Sequence, residues 1–171
     1  MLRLIFYPGV IMHEFSHAIA CLFTGTKISK ISFGLKESYV KHDAVGPIRM
    51  SLIALAPFFL GLIMGGLLFY LARINITNLI IFIIFNYLGV CILYNSIPSN
   101  QDTKNIYKAL QIQIKKDWKK SFSHKLLVIL KIVFIYSPIF LFGQIVRGFD
   151  KYDLVRTIYV IFVFALVYGL L

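Results

Sequence analysis

Five apolar runs, each near the ~20 residues an α-helix needs to cross a bilayer, take up most of this chain. They leave little from which to build a water-facing surface. The runs span about residues 2–23, 48–72, 76–97, 126–146 and 154–171; Thr24-Gly25 ends the first and Pro98 the third, while the fourth carries Lys131 and Pro138. Hydrophobic residues make up 59% of the 171 and charged ones 15%, with a mean hydropathy of +0.81. The chain therefore reads as an all-α polytopic membrane protein of about five transmembrane helices. It shows no internal repeat and no separate soluble domain.

The formal charge of +11 would suit a nucleic-acid binder, but the cations sit in short loops between apolar runs. That is how topology signals are distributed, and it excludes nucleic acid as the partner. Lys27, Lys30, Lys36, Lys41 and Arg49 follow the first run; Lys104, Lys108, Lys115, Lys116, Lys119, Lys120 and Lys125 follow the third. Arg3, Arg73, Arg147, Lys151 and Arg156 fall on the opposite side of an alternating topology. The imbalance places both long loops in the cytoplasm and the N-terminus outside. Cys21 and Cys91 lie within apolar runs and read as buried thiols, not a disulfide framework.

Both loops carry structure. Residues 25–46 contain Ile31-Ser32-Phe33 and Tyr39-Val40-Lys41-His42 about Gly34-Leu35-Lys36-Glu37, which predicts a short β-hairpin. It is either a surface hairpin or an edge that holds a peptide extended. Residues 104–122 repeat Ile106, Leu110, Ile114, Trp118 and Phe122 among lysines, predicting a basic amphipathic helix that anchors on an anionic inner leaflet.

Inside the first run stands His13-Glu14-Phe15-Ser16-His17. On a helix this spacing puts two imidazoles on one face, one turn apart, where they can share a metal ion. Glu14 is then placed to take a proton from a water at the metal. Ionisable groups at membrane depth are costly and usually mark function. Arg3, an apolar run and Ala18-Ile19-Ala20-Cys21 also fit a lipoprotein signal cut before Cys21. A signal core holding Glu14 and two histidines, followed by further spans, is a poor fit to that reading.

A catalytic zinc takes three protein ligands and keeps one open position, so a third ligand must come from elsewhere. His42, Glu37 and Asp43 in the first loop, His124, and Asp102 after the third run are the candidates; Asp117, Asp150 and Asp153 read as solvated or capping residues. Topology favours Asp102, with His42 next. The first and third runs cross in the same direction, and His17 lies only about 9 Å along its helix from Phe23. A turn after Pro98 can bring Asp102 back to that depth.

This order of parts resembles the site-2 protease family of intramembrane zinc metalloproteases. The resemblance rests on His13-Glu14-x-x-His17, the strand-rich loop, two further spans and Asn95-Ser96-Ile97-Pro98-Ser99-Asn100-Gln101-Asp102, and it covers about residues 7–105. It implies one zinc ion per chain held by His13, His17 and Asp102, Glu14 as general base, and Asn95 as a substrate-binding residue. Ala56-Pro57 matches a small-residue-proline element of that family. The sequence departs from the family pattern in having three residues, not four, between Pro98 and Asp102, and Thr103 in place of glycine. No PDZ-like insertion is present, so the helices or first loop must select the substrate.

The function expected is hydrolysis of peptide bonds in a transmembrane protein or peptide. The core spans residues 1–105, the interfacial helix 104–122, and two additional transmembrane helices 123–171. Two other readings compete: a membrane zinc peptidase of another type, which would take a glutamate as third ligand, and a catalytically inactive binding or assembly subunit. Retention of Glu14 argues against the latter, because metal binding alone does not require it.

Overall fold

The computed structural model describes residues 2–35, 37–118, 129–138, 141, 144–145 and 153–170. Among the described residues, the α-helices α1 (Leu2–Ile5), α2 (Tyr7–Phe23), α3 (Pro47–Ile74), α4 (Leu79–Ser96), α5 (Asn100–Trp118) and α6 (Asp153–Tyr168) accompany a hairpin of β1 (Ile28–Phe33) and β2 (Ser38–His42). The mostly helical fold and the hairpin after the first long helix match the sequence reading. Of the fourth apolar run, residues 129–138 are helical with a π-helical stretch at Ile132–Tyr136. Lys36, Lys119, Lys120, His124, Lys125, Arg147, Asp150 and Lys151 lie outside the described residues.

Local signals set the helix ends. Thr26 N donates to Cys21 O and Gly25 N to Leu22 O, with Gly25 at φ 63°, a Schellman closure of α2 that only glycine adopts without strain. Pro47 opens α3 at a position where its missing N–H costs nothing. The Asn78 side chain caps α4 through Ile81 N, and Ile97-Pro98 ends it. The hairpin is antiparallel, with Ile31 opposite Val40 and a bulge between Ile28 and Lys30. The Tyr7 hydroxyl, donating to Phe33 O, ties the hairpin to α2.

Helices α3 and α4 pack through small residues. A Cβ on Gly61 would meet Ser96, one on Gly65 would meet Leu93, and one on Gly89 would meet the Phe69 ring. Such contacts let apolar helices approach closely where no water drives them together. Phe69 and Leu93 are fully buried and continue into Val160 and Val163 of α6. Cys21 and Cys91 are buried free thiols, as expected.

Two expectations need correction. The amphipathic helix begins at Asn100, not Lys104, because Ser99 caps it. Its apolar stripe also divides: Ile106 and Leu110 pack on Met50 and Ala54 of α3, Ile114 is half-buried and Trp118 stays exposed, while Phe122 lies outside the described residues. The second correction concerns topology. Helix α6 runs antiparallel to α4, since Asp153 meets Tyr94 at one end and Tyr168 meets Asn86 at the other. Arg73 donates to Val167 O at that second end, so Arg73 and Arg156 lie at opposite ends of the bundle instead of on one side. Strict alternation of five spans sets the third and fifth runs parallel, which the antiparallel α4 and α6 do not match.

Among the described residues, two helical stretches are long and apolar enough to cross a membrane: Pro47–Ile74 and Leu79–Trp118, the second opened by α4. At 1.5 Å per residue, the 28 residues of α3 reach about 42 Å.

Candidate metal centre

Helix α2 brings His13 and His17 to one face, and that face turns inward. Gly9, one turn earlier, lies directly on α4, where a Cβ would collide with Cys91 O and the Asn95 side chain. This close approach lets His13 Nδ1 reach Asn95 O at 2.7 Å. On the other side His17 Nδ1 reaches Ile53 O of α3 at 2.8 Å. A backbone carbonyl can only accept, so each ring carries its hydrogen on Nδ1 and turns an Nε2 lone pair toward the other.

The third group arrives from α5. Ser99 and Asp102 form a reciprocal cap: Asp102 N donates to Ser99 Oγ at 3.3 Å, while Asp102 Oδ2 accepts from Ser99 N and Ser99 Oγ, both at 2.7 Å. The cap aims the carboxylate at the histidines, with Oδ2 3.5 Å from His13 Nε2 and Oδ1 3.3 Å from His17 Nε2. The two Nε2 atoms are 3.2 Å apart.

Three acceptors facing one point repel unless a cation lies among them. Ligands at ~2.0–2.1 Å from a tetrahedral zinc are ~3.3 Å apart along the tetrahedron's edges; the two Nε2 atoms are 3.2 Å apart, each faces a different Asp102 oxygen at 3.5 and 3.3 Å, and one ligand atom from each residue lies within 4.8 Å of the others. Nitrogen and carboxylate donors in this number also suit zinc, and carbonyls behind both imidazoles supply the outer contacts such ligands normally have. The residues fit the ion.

The group opens onto a cavity of about 540 Å³ lined also by Glu14, by Ser38, Tyr39, Val40 and His42 of β2, and by Tyr94 and Asn95 of α4. Asp153 and Arg156 of α6 complete the wall. Charge and polarity therefore face one volume in a bundle whose outer faces are apolar.

The sequence candidates separate cleanly. His13, His17 and Asp102 come together, with Glu14 on the same cavity. His42 reaches the wall, but its Nδ1 faces Asp43 O at 2.8 Å and it does not join the three. Glu37 and Asp43 are exposed. The Asn95 backbone carbonyl orients His13, and its side-chain amide donates to Phe6 O and Cys91 O, joining α4 to the start of α2. Asp153 is more than a cap: its carboxylate accepts from the Tyr94 hydroxyl at 2.9 Å. Ile53, Ser99, Tyr94 and Arg156 were not singled out by sequence. Ser99-x-x-Asp102 carries a capping signal that would have found Ser99, and a proline four residues after Ile53 is the trace of that carbonyl.

Compared with known families, residues 1–99 match the one described as Peptidase M50B-like. The matched stretch holds His13, Glu14, His17 and Asn95 and ends three residues before Asp102. No curated protein and no solved structure matches the chain.

Proposed function

The chain belongs to the Peptidase M50B-like family, and from that premise we propose that it is an intramembrane zinc metalloprotease. The observation that supports this most is the convergence of His13, His17 and Asp102 within 4.8 Å of one another, beside Glu14 on one cavity.

In this reading His13, His17 and Asp102 hold one zinc, which when bound supplies Lewis acidity toward water and the scissile carbonyl. Glu14 accepts the proton of the attacking water and returns it to the leaving amine. Asn95 O and Ile53 O keep the imidazoles in register, and Ser99 does the same for Asp102. The substrate is a membrane protein or peptide whose helix unwinds at the cavity, because helical hydrogen bonds shield the carbonyl to be attacked. Asn95 contacts it from the wall. Strand β2 lines the cavity and pairs with β1 on one edge; a substrate laid along the second edge would be held extended by main-chain hydrogen bonds.

The membrane setting follows from the outer faces. Leu52, Ile63 and Leu67 of α3, Ile80 and Ile83 of α4, and Ile158 and Phe162 of α6 are all exposed, a pattern suited to lipid and costly in water. The ends of α2 and α4 and the starts of α3, α5 and α6 then form the cytoplasmic side. Lys27, Lys30, Lys41, Arg49, Lys104 and Lys108 face its anionic leaflet.

The test is metal content and cleavage in the detergent-purified full chain. Wild type is expected to carry about one zinc, lost in His13→Ala and Asp102→Ala. Glu14→Gln is expected to keep zinc and lose all turnover of a transmembrane peptide. A wild-type chain that binds no zinc after reconstitution overturns the proposal, as does a Glu14→Gln chain that cleaves at the wild-type rate.

A further inference from the structure

Pro57 lies inside α3 and is fully buried. In an α-helix the N–H of residue i bonds the carbonyl of residue i−4. Proline has no N–H, so position 57 leaves the Ile53 carbonyl without its helical donor. Ile53 is 2% exposed, and an unpaired carbonyl at that depth is costly. The donor comes from another helix: His17 Nδ1 stands 2.8 Å from Ile53 O.

We propose that Pro57 is a positioning residue for the metal centre. By withholding an N–H from the α3 ladder it reserves the Ile53 carbonyl for His17, which fixes the tautomer and ring plane and turns Nε2 toward His13 and Asp102. The inference rests on the zinc site described above, but it concerns how the ligand is held and not what the site hydrolyses.

Two further carbonyls follow the same rule. The Asn95 carbonyl that receives His13 is in the last turn of α4, and the N–H four residues on, at Ser99, is turned to Asp102 Oδ2. Four residues before Pro98, the Tyr94 carbonyl receives Arg156 Nη1 at 3.4 Å. His17, His13 and Arg156 thus each reach a carbonyl whose helical donor four residues on is a proline or is turned elsewhere. A kink or a packing role for Pro57 alone would not account for the partner at Ile53.

The experiment compares zinc dissociation constants, by chelator competition on the full chain in detergent, for wild type, Pro57→Ala and a chain with lactic acid at position 57. Lactic acid puts an ester oxygen where alanine has its N–H, so it lacks both the donor and the proline ring. Pro57→Ala is expected to bind zinc ~10–100-fold more weakly, the range typical for loss of a contact behind a ligand. The ester is expected to restore binding to within about threefold of wild type. Alanine binding as tightly as proline, or an ester as weak as alanine, overturns the inference.

If Pro57→Ala fails to fold, the ¹⁵N spectrum of His17 in the metal-free wild type decides. A persistent Nδ1–H tautomer supports the inference and an Nε2–H tautomer overturns it. A wild type that binds no zinc removes the proposed function, yet this spectrum still tests how His17 is held.

Discussion

The Nε2 atoms of His13 and His17 lie 3.2 Å apart, and between neutral rings neither donates to the other, since Nδ1 carries the hydrogen that reaches Asn95 O and Ile53 O. With Asp102 beside them, the centre is an unbalanced cluster of acceptors that a cation relieves. Bound zinc should therefore stabilise the fold as well as enable chemistry. At zinc concentrations 100-fold above the dissociation constant the gain is about 2.7 kcal/mol. Thermal unfolding should fall on chelation and recover with added zinc; an unchanged midpoint in both conditions would contradict a metal shared by these three residues.

Ser99 makes a sharper case, because it caps α5 and aims Asp102 with the same atoms. Ser99→Ala should cost about 1 kcal/mol of stability, as lost caps do, and weaken zinc roughly tenfold or more by freeing the carboxylate. Ser99→Thr, which keeps the hydroxyl, should behave as wild type. Unfolding midpoints and zinc titrations on the two variants check this, and a threonine variant as impaired as alanine would point to space rather than hydrogen bonding.

Gly9 tests the approach of α2 to α4. A Cβ there meets Cys91 O and the Asn95 amide, whereas one on Gly66 meets nothing within 4 Å. Gly9→Ala should lose about 1–3 kcal/mol through overpacking and pull His13 from Asn95 O, lowering zinc affinity as well. Gly66→Ala should be neutral or stabilise by about 0.5–1 kcal/mol through helix propensity. Equal effects at the two sites would mean that α2 is not seated by this contact.

How much of this was legible beforehand divides by the kind of signal. Helices α2, α3 and α4 are legible as apolar runs, with Thr24-Gly25 and Pro98 as stops, the hairpin as β-formers about Gly34, and Asp102 as the carboxylate that shares a membrane end with His17. The start of α5 is not legible in the recurrence of Ile106, Leu110 and Ile114, because the first turn from Asn100 is polar and is set by the Ser99-x-x-Asp102 cap. The direction of α6 was missed because charge counting treats each loop alone, while α6 is oriented by contacts at both ends, Tyr94 with Asp153 and Asn86 with Tyr168. Ile53 was invisible as a residue type: its contribution is a carbonyl, and the only sequence trace of it is Pro57.

Arg156 lies beyond the residues that match the family, yet it touches the centre's frame. Its guanidinium sits 5.5 Å over the Tyr94 ring and donates to Tyr94 O, while Phe6 stacks on that ring at 4.5 Å. Tyr94 precedes Asn95, the residue that holds His13. Both Arg156 and Asp153 line the cavity without belonging to the converging His13, His17 and Asp102, so Arg156→Gln should leave zinc affinity within about twofold. A cation–π contact and one hydrogen bond together contribute about 1–2 kcal/mol, so kcat/KM on a transmembrane peptide should fall roughly tenfold. Zinc titration and cleavage kinetics on the same preparation separate the two effects. If Arg156→Gln instead loses zinc in step with activity, α6 acts through Tyr94 on the backbone that carries His13 and not as a wall of the substrate cavity.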